Sequence, residues 1–109
     1  TKSFIIDHPT KPGKKLQYGS LEGPENGVYI RGKTTESIIE LPEYWTNLVH
    51  EDTITVNLTP IGDSATPRVR KIENNQVEVF SKEEGELNYF YMILAERKDV
   101  NKLEVELED

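Results

Sequence analysis

Apolar side chains recur along this chain at every second position far more regularly than at helical spacing. In Thr53-Ile54-Thr55-Val56-Asn57-Leu58-Thr59, Ile54, Val56 and Leu58 share one face and polar groups take the other, which is the period of a half-buried strand. Leu103, Val105 and Leu107 alternate with Glu104, Glu106 and Glu108 in the same way. This predicts a second strand, whose acidic outer face would blunt an open sheet edge. Between the two lies a hairpin that can be read in register, because Asn74-Asn75 tolerates the positive φ of a two-residue turn. Glu73 then faces Gln76, Ile72 faces Val77, Lys71 faces Glu78 and Val69 faces Phe80, a set of cross-strand pairs that includes one of opposite charge.

Leu87 to Ala95 is apolar on both faces. Leu87, Tyr89, Tyr91, Ile93 and Ala95 take one side, and Phe90, Met92 and Leu94 take the other. Its aromatic content and short length predict a central strand, covered on both sides or covered on one side by a neighbouring subunit. Ser3 to Ile6, Leu16 to Ser20, Val28 to Arg31 and Ser37 to Leu41 are further short strands, separated by Pro9, Pro12-Gly13, Gly23-Pro24 and Gly32. One helical turn, Pro42 to Leu48, has proline at a first-turn position. The expected fold is an all-β antiparallel β-sandwich or barrel-like domain of about eight short strands, with residues 1–109 as a single domain.

Composition sharpens this picture. Hydrophobic residues make up 35% of the chain and charged residues 30%, so the core must come from elements with one polar face, and burial in an oligomer would add to it. Cysteine is absent, which removes disulfides, thiolate metal sites and cysteine nucleophiles. Thirteen basic against twenty acidic residues give a net charge of −7, and such a surface disfavours nucleic acid and anionic membranes. No apolar run is long enough to predict membrane insertion, and Thr1 in place of a methionine points to a fragment. Lys2, Lys11, Lys14 and Lys15 stand against Asp7 alone, a cluster for which a solvated lysine-rich loop is the plainer expectation and a basic arm laid on an acidic neighbour the alternative.

Few residues suggest chemistry. Gly27-Val28-Tyr29-Ile30-Arg31-Gly32-Lys33-Thr34 fits the phosphate-loop pattern G-x-x-x-x-G-K-T. That loop needs an upstream strand and a following helix whose N-terminus meets the phosphates. Here the interior residues are strand formers, so a strand flanked by turn glycines is expected and no cofactor is assigned. His8 and His50 each sit beside carboxylates and could join a metal site or a base with its orienting acid; loop and turn roles are the plainer expectation. Glu22/Glu25 and Glu40/Glu43 resemble acid–base pairs, but twenty acids make chance pairs unavoidable. Glu104, Glu106 and Glu108 could offer oxygens to calcium, against a solvated strand face. Asn57-Leu58-Thr59 is a formal glycosylation site. No serine lies in a nucleophile elbow, so neither catalytic nor metal residues are expected. Tyr29, Tyr44 and Trp45 are the candidates for partner or receptor contact, because amphipathic rings line such surfaces, with core packing or subunit contact as an equal alternative.

Taken together, FIIDHP, LEGPENGVYIRGK, ELPEYW, TVNLTPIG and NYFYMILAERKDVNKLEVE resemble a β-rich domain found toward the C-terminal part of bacteriophage tail-fibre and other virion appendage proteins. The similarity runs from Phe4 to Glu106. It implies a non-catalytic structural domain located in the virion, supporting fibre assembly and host attachment, in contact with other virion proteins and trimeric as fibre components usually are. It carries no established active-site residues. The alternative is a carbohydrate-binding module that reads host-surface glycans with exposed Tyr44 and Trp45.

Overall fold

A computed structural model describes residues Lys2–Asp109 and folds the alternating segments into eight strands. In chain order these are β1 (Ser3–Asp7), β2 (Lys15–Gly19), β3 (Gly27–Thr34), β4 (Ile38–Glu40), β5 (Thr55–Pro60), β6 (Arg68–Glu73), β7 (Gln76–Phe80) and β8 (Tyr89–Glu96). A four-residue helix α1 (Trp45–Leu48) and a 3-10 turn (Glu51–Thr53) stand between β4 and β5. All pairings are antiparallel. β1 and β2 form a hairpin, one three-stranded sheet has the order β3-β8-β5, and the other has the order β4-β7-β6. The expected all-β, sandwich-like class is what the chain adopts.

The segment read as central is central: β8 is hydrogen-bonded to β3 on one side and β5 on the other. Its inward row begins with Tyr89, Ile93 and Ala95, each at most 1% exposed. Ile30 and Val56 flank Ile93 from the two neighbouring strands, and Gly32 and Leu58 flank Tyr91. Ile39, Val77 and Val79 of the second sheet, Leu16 of the hairpin, and Trp45 and Leu48 of α1 complete one continuous core. The outward row of β8 excludes one of the two expected arrangements, cover on both sides by the chain itself. Phe90 and Met92 are 52% and 42% exposed, so within one chain only one side of the central strand is covered.

Local chemistry explains the turns. Asn74 and Asn75 have φ of 52° and 56°, the left-handed pair that a two-residue hairpin turn demands and that asparagine tolerates. Asn75 Nδ2 also donates to the carbonyls of Leu41 (3.2 Å) and Pro42 (2.9 Å), tying this turn to the exit of β4. The register holds for Glu73–Gln76, Ile72–Val77 and Lys71–Glu78 but then slips, because a bulge between Val69 and Lys71 pairs Val69 with Val79 and Arg68 with Phe80. Arg70, at the bulge, lies 4.1 Å over the Phe80 ring and 2.9 Å from the Glu78 carboxylate, which accounts for the extra residue.

Two further expectations are corrected. Thr53 and Ile54 precede β5, since Thr53 closes the 3-10 turn and donates from its hydroxyl to the His50 carbonyl (2.7 Å). Leu103, Val105 and Leu107 form no strand; they are 45%, 64% and 76% exposed. Alternation supplies a face to bury, but a ladder needs a partner, and this segment has none among the described residues.

Gly32 sits directly beneath the ring of its cross-strand partner Tyr91, and a Cβ there would come within 2.5 Å of the phenolic oxygen. Gly32→Ala is therefore expected to push the ring off the strand and cost about 1–2 kcal/mol, on the order of 5–10 °C in Tm. Thermal denaturation should show this cost shrinking in a Tyr91→Ala background, where the obstacle is gone.

Candidate functional site

The residues singled out for chemistry separate into those that build the fold and those that face outward. Gly27–Thr34, the phosphate-loop match, is extended along its whole length as β3, every residue paired with β8. Its backbone N–H groups cannot converge on a phosphate while held in that geometry, and the next helix, α1, starts only at Trp45, beyond β4 and three residues later than the expected start at Pro42.

The carbohydrate-binding alternative needs an exposed Trp45, and Trp45 is not exposed. It is 1% exposed and packs in the core, because the first turn after Pro42 directs it inward: Trp45 N–H donates to the Pro42 carbonyl (2.9 Å). Its indole N–H reaches the Tyr18 hydroxyl at 3.3 Å, and the Tyr18 and Tyr44 hydroxyls meet at 2.6 Å. Tyr44 stands edge-on to both Tyr18 and His8, and Phe4 lies beside Tyr18. This aromatic cluster pins the β1–β2 hairpin to α1. Burial first, then the hydroxyl contact with Tyr18, holds the Tyr44 phenol well above the usual tyrosine range. Arg97 closes the cluster from the far side, its guanidinium 3.9 Å over the Phe4 ring and paired with Asp99 at 2.7 Å.

Both histidines do backbone work. His8 Nδ1 accepts from the N–H groups of Thr10 (3.2 Å) and Lys11 (2.9 Å), closing the loop between β1 and β2. The His50 N–H donates to the Glu96 carbonyl, and its own carbonyl accepts from Thr53. The carboxylates disperse: Glu22 binds Lys2, Glu43 accepts from Thr10, and Glu40 accepts from Gln76. Among the described residues, no group of three histidine or acidic side chains is arranged to hold a metal ion. The basic arm is the hairpin itself, where Lys15 pairs with Asp7 and all four lysines are exposed.

What the structure adds is a surface. The outward side chains of β3, β8 and β5 form three rows, namely Tyr29-Leu94-Thr55, Arg31-Met92-Asn57 and Lys33-Phe90-Thr59. An apolar stripe thus runs down the middle strand, with Tyr29 (41% exposed), Arg31 and Lys33 on one side and small polar groups on the other. A depression of about 660 Å³ lies over Arg31, Lys33, Asn57, Phe90 and Met92. Of the three contact candidates, Tyr29 alone belongs to this surface. Phe90 and Met92 were legible in sequence as the second face of an apolar strand; that nothing in the chain covers them was not.

Two outcomes follow. Emission of the single tryptophan should be blue-shifted, shielded from iodide and unmoved by added polysaccharide, and Trp45→Ala should cost about 3–5 kcal/mol in denaturant titration. At high pH, Tyr89 should weaken the fold. Burial, aided by Tyr91 and Glu36, pushes its phenol up to about 12, so its contribution is intact below pH 10 and is lost as pH rises toward 12, where only the unfolded chain ionises readily. Tyr89→Phe should cost about 1 kcal/mol at neutral pH by removing the 2.6 Å hydrogen bond to the Glu36 carbonyl, yet flatten the alkaline loss.

Comparison of the chain with protein-family models, with curated proteins and with solved structures returned no match, so the outer face of the β3-β8-β5 sheet stands as the candidate site on its own geometry.

Proposed function

We propose that this chain is a non-catalytic structural domain of a virion appendage, assembled as a homo-oligomer, with a trimer as the working stoichiometry. The observation that carries the reading is surplus surface. The folded chain exposes 7736 Å², whereas a compact monomer of this mass exposes about 6,200 Å². The difference, roughly 1,500 Å², is about twice the 800 Å² that each partner loses in one standard interface, and each subunit of a trimer has two such neighbours. Part of it is the apolar stripe of β8, whose large side chains are the kind that subunit contacts bury and isolated domains do not display.

The residues first considered for chemistry support the same reading, since the histidines, Trp45 and the GKT segment are taken up in turns, core and strand. The motif resemblance to tail-fibre domains supplies the virion setting. Attachment to a host surface fits the same outer face through Tyr29, and it draws no support from Trp45, which is core.

The chain should run as a trimer by native mass spectrometry at micromolar concentration and dissociate on dilution. Phe90→Ser with Met92→Ser should shift it toward monomer without unfolding it. Antibodies against the domain should decorate the appendages of tailed phage particles that encode it. A stable monomer, or antibodies that leave such particles bare, would refute the assignment.

A further inference from the structure

Beyond the apolar stripe, the fold leaves an open ladder and an unused strand that match. β3 is the edge of its sheet, and no main-chain group from Gly27 to Thr34 receives a hydrogen bond from any described residue other than its β8 partners. Its outward-facing Arg31 and Lys33, two residues apart, enter no ion pair among the described residues, although the chain as a whole carries −7. The other basic edge, β6, is interrupted by its bulge, and its Arg70 and Lys71 are already engaged by Glu78 and Glu73.

The segment after β8 has the opposite character. Its start is fixed: the Asn101 carbonyl accepts from Asn26 Nδ2 (3.2 Å) and Lys102 pairs with Glu96 at 3.7 Å. From Leu103 onward it is exposed and unpaired, and it helps to raise the Cα radius of gyration to 16.1 Å against about 13 Å for a compact domain of this length. Its seven residues span about 23 Å when extended, a length that the eight residues of β3 can accommodate. Side chains on one face of a strand recur every second residue, so a register that sets the glutamates beside Arg31 and Lys33 turns the leucines and the valine toward Val28 and Ile30 on the core side.

We infer that Leu103–Asp109 of one copy adds as an extra strand to the free β3 edge of a second copy, with Glu104, Glu106 and Glu108 recognised by Arg31 and Lys33. The exchange rests on the self-assembling reading above and names the surface through which copies are linked. It pairs an otherwise bare ladder and buries side chains that a single chain leaves in water.

Charge reversal tests it. One variant carries Glu104→Lys, Glu106→Lys and Glu108→Lys; the other carries Arg31→Glu and Lys33→Glu. Circular dichroism and the emission of Trp45 confirm that each remains folded. Each alone should self-associate roughly tenfold or more weakly than the parent in sedimentation equilibrium. An equimolar mixture should associate clearly more strongly than either variant alone, because the reversed segment of one variant then meets the reversed edge of the other, which restores two of the three contacts in a mixed trimer. Association unaffected by either reversal would overturn the exchange while leaving assembly through Phe90 and Met92 intact. A mixture that fails to recover would show pairing within one chain, or none, and would also overturn it. A parental chain that stays monomeric would overturn both readings.

Discussion

The middle strand of the β3-β8-β5 sheet can bury its inner row only because neighbours hold it on both sides. Tyr89, Ile93 and Ala95 lie fully inside the core, and a polar main chain can sit that deep only when every N–H and carbonyl is paired. The ladders to β3 and β5 meet that demand. With β8 fixed, Val77 and Val79 of the second sheet have an apolar floor to pack on, and Tyr91 has a glycine to lie across. The same constraint exposes the other row. A strand with two apolar faces presents one of them to solvent when only one sheet is available to cover it.

The hairpin and the helical turn are joined differently, through rings and hydroxyls. Phe4, Tyr18, Tyr44 and Trp45 each place an apolar body against the core, and where a polar tip is enclosed it meets another: indole N–H to Tyr18, and Tyr18 to Tyr44. An enclosed polar tip without such a partner would cost more than its ring gains by burial. Arg97 covers the Phe4 ring with a delocalised cation that Asp99 balances. The hairpin is therefore bound to the rest of the fold without extending either sheet.

Period-two spacing made most of the architecture legible. Val28, Ile39, Val56 and Ile93 all turn inward as alternation requires, and Asn74-Asn75 marked a turn whose φ values could be anticipated from the residue types alone. What escaped sequence reasoning was whatever depends on a partner in space. The Arg70 bulge arises from a ring on the adjacent strand; the indole N–H of Trp45, turned inward by the bend after Pro42, can stay enclosed because the hairpin supplies a hydroxyl for it. Leu103, Val105 and Leu107 carry as clear a strand pattern as β5 does, and they stay outside the sheets for want of a ladder. The outer-face site was half legible, since the apolarity of Phe90 and Met92 was plain while their exposure depends on how many layers the chain builds.

The position of β8 also governs how the domain would carry load. Tension entering through the residues after Glu96 acts along a strand bonded on both flanks, and the main-chain bonds of two antiparallel ladders lie across that direction. Such bonds must yield together in shear rather than peel one at a time. The Lys98 contacts to α1, from its N–H to the Leu48 carbonyl and from its ammonium to the Thr46 carbonyl, share the pull before it reaches the sheet. Pulled from that end, the domain would thus resist stretching at the strand least able to slip.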